Sequence, residues 1–116
     1  LAIDKKALPT FQDVGYGVSA RIGDSNDRSL SAWTADGTRK FLNTSFKAAH
    51  GGWLDSTQLD GNSCRGDSGG PTMLGDLAVA IHKLDSNSNF CSGDGHGMRL
   101  DTAERRAFLA NYVALP

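Results

Sequence analysis

The stretch NSCRGDSGGPT, Asn62 to Thr72, decides how the rest of the chain is read. Glycines flank Ser68 on both sides, and glycine adopts the positive φ values that other residues resist. Such a turn presents the Ser68 hydroxyl at its tip and lets a ligand backbone come close. It also suits two backbone N–H donors, those of Gly66 and Ser68, for one oxyanion; each such donor is worth about 3–4 kcal/mol to a tetrahedral acyl intermediate. Asp67 places a carboxylate in the middle of the turn, and a buried carboxylate requires a partner, expected here to be a cation. A serine oxygen becomes nucleophilic only beside a base, usually a histidine oriented by a carboxylate. The question that follows is which histidine serves Ser68.

The chain has 116 residues, enough for one domain, residues 1–116, and one hydrophobic core. Apolar residues make up 39% and there are 14 glycines, which suits a turn-rich all-β domain better than a helix bundle. A formal charge of −1 gives no drive toward nucleic acid or an anionic membrane surface. No apolar run is long enough for a membrane-spanning helix, and Leu1–Phe11 lacks the apolar core of a signal peptide. The two cysteines, Cys64 and Cys91, are open to three readings: a thiol pair, part of a metal site, or a disulfide. No His or Cys stands at ligand spacing from either, so no metal and no cofactor is expected. A bridge across that loop would stabilise the fold by about 3.5 kcal/mol and imply an oxidising, extracellular compartment.

Short strand-like runs alternate with turns. Strands are expected in Phe11–Ala20, Thr38–Phe46, GGWLDSTQL and Leu77–Leu84, with a last short one in MRL ending at 100–101. Gly23 to Asp27 and the SNSNFCSGDGHG segment read as loops. The end differs in kind: Asp101 with Glu104 resembles a capping box, and Phe108, Leu109, Tyr112 and Val113 recur at helical spacing, predicting a terminal helix over about 102–113. About six strands and one helix fit a small antiparallel barrel.

Cys64 to Pro71, CRGDSGGP, resembles the nucleophile signature of the trypsin-like (chymotrypsin-fold) serine proteases. The likeness continues in order. Leu8-Pro9 and Val14–Gly17 resemble the entry and first strand of that family's second barrel, and LAVAIHK resembles the strand behind its specificity pocket. MRLDTAERRAFLANYVALP resembles the last strand and terminal helix, most closely those of bacterial and plant-type members. The resemblance implies a six-stranded Greek-key barrel, a Cys64–Cys91 disulfide, Ser68 as nucleophile and an oxyanion hole from Gly66 and Ser68, supported by Asp67.

In that family the triad runs His, Asp, Ser along the chain, and the first two belong to a preceding barrel. The likeness here covers only the second. His50, in KAAHGGW, lacks the cysteine that follows the family's catalytic histidine and reads as a surface-loop residue. His82 falls where a small residue usually lines the pocket and reads as pocket wall, while His96 reads as exposed or at the pocket rim. None is read as the base, and loss of a triad member costs about six orders of magnitude in turnover. The expectation is therefore a companion chain carrying an N-terminal barrel with the catalytic His and Asp, acting with this chain on a protein or peptide substrate. The alternative is a protease-derived binding module in which Ser68 is vestigial. Asn62, six residues before Ser68, is expected at the base of the substrate pocket, with Ser63, His82 and Lys83 on its walls. An amide at that position does not imply selection of basic residues. Arg65 reads as a solvated rim residue, and Asp94 as an acid that projects into the pocket and restores such a preference.

Overall fold

A computed structural model of the chain describes residue 3 and residues 6–18, 20–21, 33–87 and 91–116. Eight strands and one helix lie among these: β1 (Thr10–Gly15), β2 (Ala20–Arg21), β3 (Trp33–Thr34), β4 (Lys40–His50), β5 (Trp53–Gln58), β6 (Pro71–Leu74), β7 (Leu77–Asn87), β8 (Ser92–Arg99) and α1 (Ala103–Leu109). Six of them close into an antiparallel barrel in the order β1-β4-β5-β8-β7-β6, while β2 and β3 pair separately. The expected all-β barrel with a C-terminal helix is thus the observed architecture. The turn expected at Gly23–Asp27 lies outside the described residues.

Alternation along each strand sorts the interior. In β1, Phe11 and Asp13 are buried while Thr10 and Gln12 are exposed, the period-two signature of a strand with one wet face. Phe11 joins Ile3, Leu54, Val79 and Ala80 in an apolar cluster. Asp13 instead joins Ser56, Ser63, Thr72, His82 and Asp85 among the buried polar side chains. The core is therefore half apolar and half polar.

Several elements are longer than their patterns suggest, and for a common reason. β4 extends to His50, and β7 to Asn87, because each carries a bulge that lets pairing continue past a break in alternation. In β7, His82 pairs with Gly97 and Leu84 with His96, so Lys83 is the extra residue. The glycine-rich SGDGHG segment, expected as a loop, is the strand β8. Glycine is needed there because the neighbours are close: a Cβ on Gly97 would sit 3.2 Å from the Ala80 Cβ, and one on Gly95 would sit 3.0 Å from the Ser56 Oγ. Phe11–Ala20 is not one strand, since β1 stops at Gly15 and Tyr16–Val18 fall outside any strand.

The expected disulfide joins Cys64 to Cys91, with Cα atoms 4.7 Å apart. The helix is shorter than its apolar spacing implied, ending at Leu109 before looser turns. Thr102, not Asp101, is its N-cap. The Asp101 carboxylate is occupied elsewhere, accepting from the Ile3 N–H at 2.9 Å and from both Nε and Nη2 of Arg99 at 2.7 and 2.8 Å. Nor does the apolar flank all face the barrel: Leu109 is partly buried, but Phe108, Tyr112 and Val113 are exposed, with the Phe108 and Tyr112 rings 5.3 Å apart.

Burial raises the Asp101 pKa, but the Arg99 bonds and the Ile3 amide outweigh it and hold the carboxyl below its ordinary value. A depressed folded-state pKa contributes stability that is present above the unfolded value and lost as pH falls through the folded one. The Asp101→Asn chain is accordingly expected to be less stable than the parent at neutral pH. The gap between their urea midpoints should close as pH falls below the carboxylate range.

Candidate functional site

The turn after Cys64 is shaped by backbone bonds before any side chain acts. Gly66 and Gly69 both adopt positive φ, 94° and 89°. The Asp67 N–H donates to the Cys64 carbonyl and the Gly70 N–H to the Asp67 carbonyl. Two bonds tie the turn to β7: the Gly69 N–H donates to the His82 carbonyl, and the His82 N–H to the Gly70 carbonyl, each at 2.8 Å. Among the described residues the N–H groups of Gly66 and Ser68 have no such acceptor. Ser68 itself is exposed at the tip, its hydroxyl donating to the Lys83 carbonyl at 2.6 Å. That carbonyl belongs to the bulged residue of β7.

Among the described residues Asp67 has no cationic partner. Its Oδ1 accepts from the Gly17 N–H at 2.8 Å and its Oδ2 from the Cys64 N–H at 2.9 Å. Two amide donors thus satisfy the carboxylate in its half-buried place. The fit explains two glycines. A Cβ on Gly15 would fall 2.0 Å from the Asp67 Oδ1, and one on Gly17 would fall 2.5 Å from its Cγ. The Val18 N–H adds a bond to the Arg65 carbonyl, so the Gly15–Val18 segment and the Ser68 turn are laced together.

A small pocket of about 60 Å³ opens beside Ser68, lined by Cys64, Arg65, His82, Lys83, Leu84 and Asp85. Asn62 is exposed and lines a different hollow of about 40 Å³, with Asp13, Lys40, Ser63, Asp67 and His82. His82 is the wall between the two. Its ring is buried, with Nδ1 3.8 Å from the Asp13 Oδ2 and Nε2 3.8 Å from the Asp85 Oδ1, both beyond hydrogen-bond length. Asp85 accepts from the hydroxyl of Ser63 and, at 2.7 Å, from the Gln58 amide. Asp13 accepts from the Thr72 hydroxyl through Oδ1, while its buried Oδ2 has no hydrogen-bond partner among the described residues. Burial raises both carboxyl pKa values, against the Thr72 bond and the His82 ring at Asp13, and against the Ser63 bond at Asp85.

Other sequence expectations resolve differently. His50 ends strand β4 rather than sitting in a loop, though it is exposed; its Nε2 meets the Asp55 Oδ2 at 2.7 Å. His96 is half-buried and meets the other Asp55 oxygen, also at 2.7 Å. Asp94 does not reach the Ser68 pocket but pairs with Lys47 on the outer face. Arg65 is partly buried and lines that pocket. Asp13, Asp55 and Asp85 escaped sequence reading. For Asp13 a signal exists, since it lies two residues from the buried Phe11 on one strand face. For Asp85 the bulge at Lys83 erases it.

No histidine is bonded to Ser68 among the described residues, and no cluster of three His, Cys, Asp or Glu side chains there is arranged to hold a metal ion. Comparison of the chain with protein-family models and with curated proteins gives no match.

Two outcomes are expected from this geometry. Asp67→Asn replaces one acceptor by an N–H donor facing an amide, costing about 1–3 kcal/mol in a denaturant titration. For Asp13, a raised folded-state pKa means stability that is full below the unfolded value and declines as pH rises through the folded one. Asp13→Asn keeps an acceptor for Thr72 without the charge, so its urea midpoint should gain on the parent's as pH rises above the carboxylate range.

Proposed function

We propose that this chain is the nucleophile-bearing half of a trypsin-like serine endopeptidase, completed by a companion chain that carries the histidine and aspartate. The observation that supports it most is the Ser68 turn. An exposed hydroxyl stands between two positive-φ glycines, on a loop fixed to Gly17 and Cys64 through Asp67 and to β7 through Gly69 and Gly70. The N–H groups of Gly66 and Ser68, without backbone acceptors among the described residues, are the donors assigned to the oxyanion. In this reading Ser68 Oγ attacks a peptide carbonyl while the companion's histidine takes its proton and passes it to the leaving amine. Water then hydrolyses the acyl-enzyme and restores the hydroxyl.

The surface around the turn is consistent with a partner. Tyr16, between the two glycines that cradle Asp67, is exposed, and so is Leu84 beside Ser68. Both are exposed apolar side chains on segments bound to the Ser68 turn, available for a companion chain to cover. The disulfide agrees with a secreted protein.

The test is fluorophosphonate labelling of natively purified material before and after separation of its chains, with the native mass measured in parallel. Labelling of Ser68 is expected only in the two-chain particle, falling by several orders of magnitude on separation and vanishing in Ser68→Ala. Equal, negligible labelling in both states overturns the proposal and leaves the binding-module reading.

A further inference from the structure

Next to the Ser68 pocket, and sharing Lys83 and Leu84 with it, lies a larger hollow of about 230 Å³ lined also by His50, Trp53, Asp55 and His96. Four strands contribute to it: β4 at its last residue, β5, the bulge of β7, and β8. The volume is that of a large side chain.

Its charges are arranged in an uneven way. Asp55 spends both oxygens on imidazoles, Oδ2 on His50 Nε2 and Oδ1 on His96 Nδ1. Those bonds, with the attraction of both rings, lower its pKa against the burial that raises it. The other ring nitrogens, His50 Nδ1 and His96 Nε2, have no hydrogen-bond partner among the described residues. Lys83 is exposed and makes no ion pair among the described residues; its Nζ lies 4.8 Å over the Trp53 ring. Of the other charged groups on these strands, Lys47 pairs with Asp94, Lys40 with Asp36 and Arg99 with Asp101, while Asp85 is buried on the inner side. The hollow thus holds one anion already shared, one unpaired cation, two ring nitrogens able to donate when the rings are protonated, and an indole face.

We infer that this hollow is a subsite for a carboxylate-bearing side chain, Glu or Asp, of the polypeptide that occupies the Ser68 groove. The Lys83 ammonium and the His50 and His96 rings take the carboxylate, and Trp53 and Leu84 cover the methylenes. The bulge couples the two places: Lys83 meets the Ser68 hydroxyl through its carbonyl and faces this hollow through its side chain. That the ligand is a substrate rests on the proposed proteolysis; that a carboxylate binds here does not.

The test is a titration of the isotope-labelled chain with two blocked tetrapeptides, acetyl-Ala-Glu-Ala-Ala-amide and its Gln counterpart, followed by the His50 and His96 ring C–H and Trp53 indole N–H signals. The Glu peptide is expected to shift all three and to bind roughly tenfold more tightly than the Gln peptide, the scale of one charge-assisted hydrogen bond. The preference should be lost in Lys83→Met, which keeps the stem over the indole. Equal binding of the two peptides, or shifts that miss these residues, overturns the inference. Because no bond is cleaved in this titration, a failure of Ser68 labelling leaves the result intact.

Discussion

A single extra residue in β7 governs the chemistry of this barrel. Lys83 has no opposite number on β8, so the strand's inward and outward faces exchange after it. Without the bulge, period-two alternation from His82 would send Leu84 inside and Asp85 out. With it, His82 and Asp85 both face the interior, Leu84 reaches the surface, and the Lys83 carbonyl is free to accept the Ser68 hydroxyl. The inner polar network, the Ser68 pocket and the neighbouring hollow all meet at this one irregularity.

The polar half of the core has a cost that shapes the turn above it. His82 is buried between two carboxylates it does not touch at hydrogen-bond length, and one Asp13 oxygen has no hydrogen-bond partner among the described residues. Buried charge of this kind is tolerated only where surrounding structure holds it in place. Here the same residue, His82, binds the Ser68 turn through both its backbone N–H and its carbonyl. The polar network and the Ser68 turn are thereby joined through one residue, His82, with the Gln58 side chain bracing the network at Asp85 and Ser63.

Asp67 illustrates how local chemistry and tertiary arrangement divide the work. Its position in a glycine turn foretold a carboxylate needing a partner. A cation was the natural expectation, yet two amides supply the need, because Gly15 and Gly17 have no Cβ and let the β1 end approach within hydrogen-bond distance. Asp101 repeats the lesson in the opposite direction: a residue spaced for a helix cap is drawn away by Arg99 and the Ile3 amide, a stronger set of donors than one helix N–H.

What the sequence determined by itself was the kind of molecule and the location of its most unusual turn. Alternation in FQDV, the apolar run from Leu77, and glycines placed where backbones must approach are local signals, each carried by neighbours in the chain; they define an all-β barrel with a short terminal helix. CRGDSGGP marks Ser68 in the same way. The tertiary structure alone decided the identity of the buried polar partners, the conversion of a glycine-rich segment into β8, and the meeting of His50, Asp55 and His96. These depend on register between strands distant in sequence, and one inserted residue reverses register without leaving a trace in composition or spacing.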